Sequence, residues 1–264
     1  MNILTDIVKR KKTEVAARQR QKPLGALQAH GLQSVGLPPR RSFRSALETP
    51  DLSVIAEIKR RSPSKGDLRC DIDVAQIARS YAANHASAIS VLTDETFFGG
   101  SHDDLVSARA SVNLPVLQKD FIIDPYQLHE ARSIGGDAVL LIVRILGRQR
   151  LGELLGIAAE LTLDALVEVH TAEELAQALE AGAGIIGVNN RNLDTFEVSL
   201  QTAVDLRPLI PPGRVAVAES GIGDRDDVRR LRDGGYDAIL VGESLMTADD
   251  PGEKLGELME AAKR

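Results

Sequence analysis

Eight short apolar segments recur along the chain, each followed by a stretch with helical periodicity. This rhythm constrains the fold more than any other feature. The expected strands cover 54–59, 88–93, 115–121, 138–144, 165–170, 185–190, 215–220 and 238–242. Between them, "DVAQIARSYAAN" sets Val74, Ile77, Ala78 and Tyr81 on one helical face. "TAEELAQALEAG" opens on Thr171 as N-cap with Glu174 three residues on, a capping box, and closes at Gly182. "DRDDVRRLRDGG" runs from Asp224 to Gly234. Alternation of this kind predicts parallel strands joined by crossover helices.

Eight such strands can close into a barrel or lie in an open, doubly wound sheet. Three features favour the closed form, an α/β fold of the (β/α)8 TIM-barrel type. The count is eight. No glycine-rich dinucleotide loop follows the first strand; "GIGDRD" lacks the third glycine and follows the seventh. Polar residues gather at the C-terminal ends of many strands, where such barrels carry their active sites. No linker or low-complexity segment divides the 264 residues, so one barrel domain over 1–264 is expected. Residues 1–50 form its N-terminal helical extension. There "NILTDIVKRKKTEVAARQR" places apolar residues at 3, 4, 7, 8 and 15, a helical stripe. The extension reads either as a plug for one end of the barrel or as a cover that encloses substrate.

Hydrophobic residues make up 43% of the chain, enough for such a core. The net charge of −6 gives no general affinity for nucleic acid, and the basic run at 9–12 reads as a solvated helix face. No apolar run approaches a membrane span, and the N-terminus lacks the apolar centre of a signal peptide. The single cysteine, Cys70, cannot form an internal disulfide and fits a reducing cytoplasm. It lies in a charged loop without an activating base. The histidines at 30, 85, 102, 129 and 170 include no pair with metal-ligand spacing, so no metal is expected.

Side chains alternate across a strand, so Glu57 and Lys59 share the face of Ile55. In a barrel that face points inward, where a charge is costly unless paired or used. "VLQKDF" repeats the feature, with Lys119 between Leu117 and Phe121 on one face. "LVEVH" supplies Glu168 and, further out, His170, read as a rim histidine. "GVNNRN" supplies Asn189 and Arg191, and "VAES" supplies Glu219 beside Ser220. One buried ion pair is ordinarily structural. Polar groups from five strands at one end are different, and two lysines with three carboxylates suit proton transfer. After strands seven and eight, "ESGIG" and "VGESLM" let backbone approach a ligand at Gly221 and Gly242. With the start of a short helix there, an anion is expected between Ser220–Gly221 and 242–244.

These residues, in this order, resemble the indole-3-glycerol-phosphate synthase family. The matching runs are "AEIKRRSPSKG", "ISVLTDETFFGGS", "LQKDFIIDPYQLHEAR", "LLIVRIL", "LVEVH", "GVNNRNL", "AESGI" and "LVGESLM", which together span residues 56–246. The N-terminal "IVKRKKTEV" and "SFRSAL" are similar to the family's extension. The resemblance implies a phosphorylated small-molecule substrate, 1-(2-carboxyphenylamino)-1-deoxyribulose 5-phosphate, and no cofactor. The substrate's ring carbon that bears the carboxylate attacks the ketone; carbon dioxide and water then leave. The resemblance makes Lys119 the general acid of ring closure and Glu168 the acid/base of dehydration. Glu57 and Lys59 match an orienting, substrate-contacting pair, and Asn189 and Arg191 match residues that hold substrate. Glu219 ends strand seven among the catalytic groups. Ser62 joins the substrate contacts, and Phe121, Leu140 and Leu193 line the aromatic pocket. Ser220, Gly221, Gly242, Glu243 and Ser244 surround the phosphate. Which of Lys119, Lys59 and Glu168 performs each transfer stays open, because the three titrate together.

Two positions depart from the commoner family pattern. Gln118 stands where arginine is frequent; its parity turns it toward the helices. "NHAS" before the second strand replaces a Gly-Ala turn and bears on local packing. A rival barrel, phosphoribosylanthranilate isomerase, needs a cysteine and an aspartate as acid/base pair, which Cys70 in its loop does not supply. A non-catalytic sugar-phosphate sensor would not need the full acid/base set. The sequence leaves the oligomeric state open, with a monomer favoured, and implies neither a nucleic-acid nor a membrane partner.

Overall fold

The computed structural model describes residues 3–27, 39–192 and 195–263. Eight parallel strands close into a barrel: β1 (Ser53–Ile58), β2 (Ala88–Leu92), β3 (Val116–Lys119), β4 (Ala138–Ile142), β5 (Asp164–Val169), β6 (Ile185–Asn189), β7 (Val215–Glu219) and β8 (Ala238–Val241). Each pairs in parallel with its sequence neighbours, and β8 returns to β1 with Ile55 opposite Leu240. All eight expected strands are present, their ends within two residues of the expected ones.

The strands are apolar on both faces because both are covered. In β1, Val54, Ala56 and Ile58 face outward into the layer between strands and helices. Ile55 faces inward with Leu117, Leu166 and Val217. The helices obey local rules. Val74–Ala83 is capped by Asp73 and buries Val74, Ala78 and Tyr81. Arg225–Asp233 starts at a capping box on Asp224. Thr171 caps Ala172–Glu180 as expected, by accepting from Glu174 N. The Glu174 carboxylate does not close the expected box, however. It accepts from His170 N at 2.7 Å, one residue earlier, and so ties the helix to the end of β5.

The residues before β1 divide the two readings of the extension between two helices. Phe43–Leu47 plugs the N-terminal end: Phe43 and Leu47 are fully buried in the barrel interior. Two such side chains, each worth about 1.5–3 kcal/mol on burial, make the plug a sizeable part of the core. Arg44 N donates to Asp164 and Arg41 N to Asp137, which holds this segment to the bottom of β4 and β5. The helix Ile3–Gln21 lies at the other end, where Ile3, Leu4 and Ile7 wall the cavity above the strands. Residues 28–38, between these helices, lie outside the described residues. No helix among the described residues is long and apolar enough to cross a membrane.

Candidate active site

Four alternate strands carry one charged layer. Two residues beyond the inward apolar Ile55, Leu117, Leu166 and Val217 stand Glu57 on β1, Lys119 on β3, Glu168 on β5 and Glu219 on β7. A barrel interior is filled in layers of four side chains from alternate strands. Here the outermost of these layers is ionisable, and it floors a cavity of about 650 Å³ at the C-terminal end.

Lys119 Nζ lies 2.5 Å from Glu219 Oε2 and 3.4 Å from Glu168 Oε2. Burial favours its neutral form, but Glu219, Glu168 and Glu57 outweigh that effect and hold the pKa above the ordinary lysine value. Burial pushes the Glu219 carboxyl up to about 7. Glu168 and Glu57 add to the rise and Lys119 opposes it. Lys59 Nζ sits 2.9 Å from Glu57 Oε1. Burial would raise Glu57, yet the attraction of Lys59 and Lys119 leaves it below the usual carboxylate range. The cluster therefore holds a fixed cation beside a carboxyl that titrates near neutrality, a pairing suited to proton transfer.

Glycines make room for this layer. A Cβ added to Gly187 on β6 would lie 2.1 Å from Glu219 Oε1, and one added to Gly242 would lie 2.4 Å from Glu57 Oε1. Ser220 (φ 67) and Gly221 (φ 78) both adopt left-handed backbone, which turns the chain sharply after β7. Ser244 Oγ donates to Ile222 O at 2.9 Å and joins the two loops.

Glu57, Lys59, Ser62, Lys119, Phe121, Leu140, Glu168, Asn189, Arg191 and Glu219 all line the cavity, as do Ser220, Gly221, Gly242, Glu243 and Ser244. Leu193 lies outside the described residues. The sequence placed Glu243 at the phosphate without a direction for its carboxylate. In the structure that carboxylate meets Arg191 at 2.9 Å and Lys65 at 3.7 Å, so only its backbone N–H is suited to an anion. Asn189 Oδ1 accepts from Arg191 N at 3.0 Å and fixes the turn that aims Arg191. His170 Nδ1 is 2.7 Å from Asn189 O and is not part of the cavity wall, consistent with a rim residue. Gln118 faces outward, with Nε2 donating to Thr93 Oγ1 at 3.1 Å.

Ile3, Leu4 and Ile7, read from the sequence only as part of a helical stripe, also wall the cavity, as do Phe98 and Phe196, which the sequence reading did not single out. Leu4 and Ile7 belong to the helical stripe, but a stripe does not say which end of a barrel it covers.

Comparison with known proteins gives a consistent result. The family model described as "Indole-3-glycerol phosphate synthase" matches residues 4–258. An indole-3-glycerol phosphate synthase of Bordetella pertussis (strain Tohama I) is 50% identical, over 98% of this chain and 99% of that protein. Among solved structures, 3-hexulose-6-phosphate synthase from Salmonella typhimurium superposes with a TM-score of 0.65 at 12% identity, over 80% of this chain and 98% of that one. Thiamine phosphate pyrophosphorylase from Pyrococcus furiosus gives 0.61 at 20% identity, over 84% and 98%. At such identities these two structures share the fold alone.

Proposed function

The chain belongs to the indole-3-glycerol phosphate synthase family, and from that premise we propose the roles of its residues. It is a carboxy-lyase of tryptophan biosynthesis. It converts 1-(2-carboxyphenylamino)-1-deoxy-D-ribulose 5-phosphate to indole-3-glycerol phosphate, carbon dioxide and water.

The observation that carries the assignment is the Lys119 ammonium held between Glu168 and Glu219 on the cavity floor. In ring closure the ring carbon bearing the carboxylate attacks the ketone carbon, and negative charge develops on the ketone oxygen. Lys119, kept charged by its neighbours, stabilises that oxygen and gives it a proton. The closed ring has lost its aromaticity. Loss of carbon dioxide returns the electron pair of the broken bond to the ring and restores it. Dehydration then needs one group to protonate the departing hydroxyl and another to take the proton released as the indole double bond forms. Glu168 acts here, opposite Lys119 across the floor, with Glu219 holding the lysine in place. Glu57 orients Lys59 toward the substrate.

The aromatic ring packs against Phe121 and Leu140, and Leu193 is assigned to the same pocket. The phosphate lies between the loops after β7 and β8, on backbone N–H groups of Gly221, Glu243 and Ser244 and on the Ser220 hydroxyl, with Gly242 leaving the space. Asn189 and Arg191 hold the substrate on that side, and Ser62 closes the rim from the loop after β1. The reading includes a monomer acting in a reducing cytoplasm, which the single, unpaired Cys70 fits.

Turnover is read directly from indole fluorescence, because the chain contains no tryptophan. Incubation with the carboxyphenylamino-ribulose phosphate should raise the signal, and Lys119→Ala should abolish the rise while circular dichroism stays unchanged. A folded Lys119→Ala enzyme with wild-type turnover overturns the assignment.

A further inference from the structure

Lys11 is 1% exposed, although it sits in a helix whose neighbouring Lys9, Arg10 and Lys12 are solvated. The buried face of that helix runs Leu4, Ile7, Lys11, Val15. Its first two members wall the cavity. Its last packs against Leu27 and Tyr126. Between them, Lys11 Nζ lies 2.8 Å from Asp94 Oδ2, 2.8 Å from Asp120 Oδ1 and 3.1 Å from Glu14 Oε2.

Both aspartates also hold cavity aromatics. Asp94 caps the short helix Glu95–Phe98 by accepting from Phe97 N at 2.7 Å, and Phe98 is the last residue of that helix. Asp120 follows Lys119 directly and accepts from Phe121 N at 2.7 Å and from Thr93 Oγ1 at 2.7 Å. The Phe98 and Phe121 rings stand 6.0 Å apart, inclined by 38°, on the cavity wall. Glu14 adds a second tie from the same helix, accepting from Thr96 Oγ1 at 3.2 Å.

We propose that Lys11 is a positioning residue for the aromatic half of the substrate: one buried ammonium clamps the helix that roofs the cavity onto the two loops that carry Phe98 and Phe121. The proposal rests on the aromatic-pocket reading above. A surface lysine would not require three carboxylates in this arrangement. Burial disfavours the charge, and Asp120 and Asp94 more than offset it, so Lys11 stays protonated wherever the enzyme works. Without the ammonium, two buried carboxylates face each other unpaired, and breaking a buried pair in this way is strongly destabilising. The roof and the aromatic loops would then lose register together.

The test compares wild type with Lys11→Arg, Lys11→Met and the double variant Lys11→Met/Asp94→Asn. The double variant guards against simple unfolding. Asparagine still caps Phe97 N, and Asp120 keeps Thr93 and the Phe121 N–H as partners. In the folded double variant KM should rise about 10-fold or more while kcat changes about threefold or less. Backbone amides of the helix Ile3–Gln21 should exchange with deuterium faster, and Lys11→Arg should restore part of both properties. A folded double variant with wild-type KM, or with unchanged exchange in that helix, overturns the proposal. Phe121→Ala separates the two readings. A raised KM there beside an unchanged KM in the double variant removes the Lys11 proposal alone. An unchanged KM in Phe121→Ala removes the aromatic-pocket reading and this proposal with it.

Discussion

Lys119 Nζ and Glu219 Oε2 approach to 2.5 Å, while no hydrogen-bond donor among the described residues meets the other oxygen of that carboxylate. Glu219 thus has one oxygen committed to the lysine and one free to exchange a proton. Its carboxyl, near 7 when folded, lies above its ordinary value of 4.5. The folded state therefore binds more protons between those values, and this group's contribution to stability falls as pH rises from about 4.5 to about 7. Glu219→Gln should flatten the decline in Tm across that window. It should also remove a rise in kcat centred near pH 7, where ionised Glu219 anchors the Lys119 ammonium. A Gln variant with the wild-type pH profile of kcat assigns that limb to another group.

Glu168→Gln keeps the volume and removes the titratable group. Turnover should fall by about 10²-fold or more, the usual contribution of a general acid or base. KM should change less, because the phosphate loops and aromatic wall are untouched. Near-normal kcat would reduce Glu168 to a structural partner of Lys119.

Gly242 is the only residue type its position accepts without moving the floor, since an added Cβ meets Glu57 at 2.4 Å. Gly242→Ala should displace Glu57, release Lys59 and crowd the proposed phosphate loops. A displacement of this order costs about 10²-fold in rate. Steady-state kinetics should show lower kcat and higher KM together, and inorganic phosphate should inhibit the variant less than wild type. Unaltered phosphate inhibition would place the anion elsewhere.

His85 occupies the turn before β2 with φ 65, left-handed backbone that a side chain adopts at a cost of about 1–2 kcal/mol. Glycine is free of that penalty but has more freedom to lose on folding. His85→Gly should raise stability by a net of about 0.5 kcal/mol, or Tm by about 1–2 °C, with kcat and KM unchanged. A lower Tm would mean that the exposed imidazole contributes more than its backbone strain costs.

The charged layer was legible because its rule is local. In β1, β3, β5 and β7 an inward apolar residue is followed two positions later by Glu57, Lys119, Glu168 or Glu219, and parity alone puts both inside the barrel. Strand order followed from the alternation of strand and helix for the same reason. The space that admits the layer was not legible. Gly187 serves Glu219 from the adjacent strand, and nothing near Gly187 in the sequence announces it. The roof was half legible: Leu4 and Ile7 form a stripe, but Lys11 belongs to the basic run 9–12 that reads as a solvated helix face, and the structure corrects this by burying Lys11. Its partners Asp94 and Asp120 come from the ends of β2 and β3, and only tertiary structure joins the three. Glu243 shows the same limit, since its carboxylate turned to Arg191 and Lys65 only once the loops had met.

The Lys119→Arg enzyme tests proton donation against charge alone. Both side chains are cationic at neutral pH, so Arg should keep the attraction to Glu168 and Glu219 and any purely electrostatic stabilisation of the ketone oxygen. Arginine holds its protons to a pKa above about 12 and spreads its charge over a planar fork. The site around Lys119 Nζ is filled by two carboxylates at 2.5 and 3.4 Å, fitted to a compact ammonium. A guanidinium there should pair with both and turn its donors away from the ketone oxygen. The variant should fold and bind an indole phosphate product analogue, yet lose most of kcat, and Lys119→Ala should do no better. Circular dichroism and the binding measurement distinguish this outcome from a barrel unfolded by the larger head group. A folded, ligand-binding Arg variant with close to wild-type kcat would exclude Lys119 as the proton donor and move that step to Lys59, whose ammonium also lines the cavity.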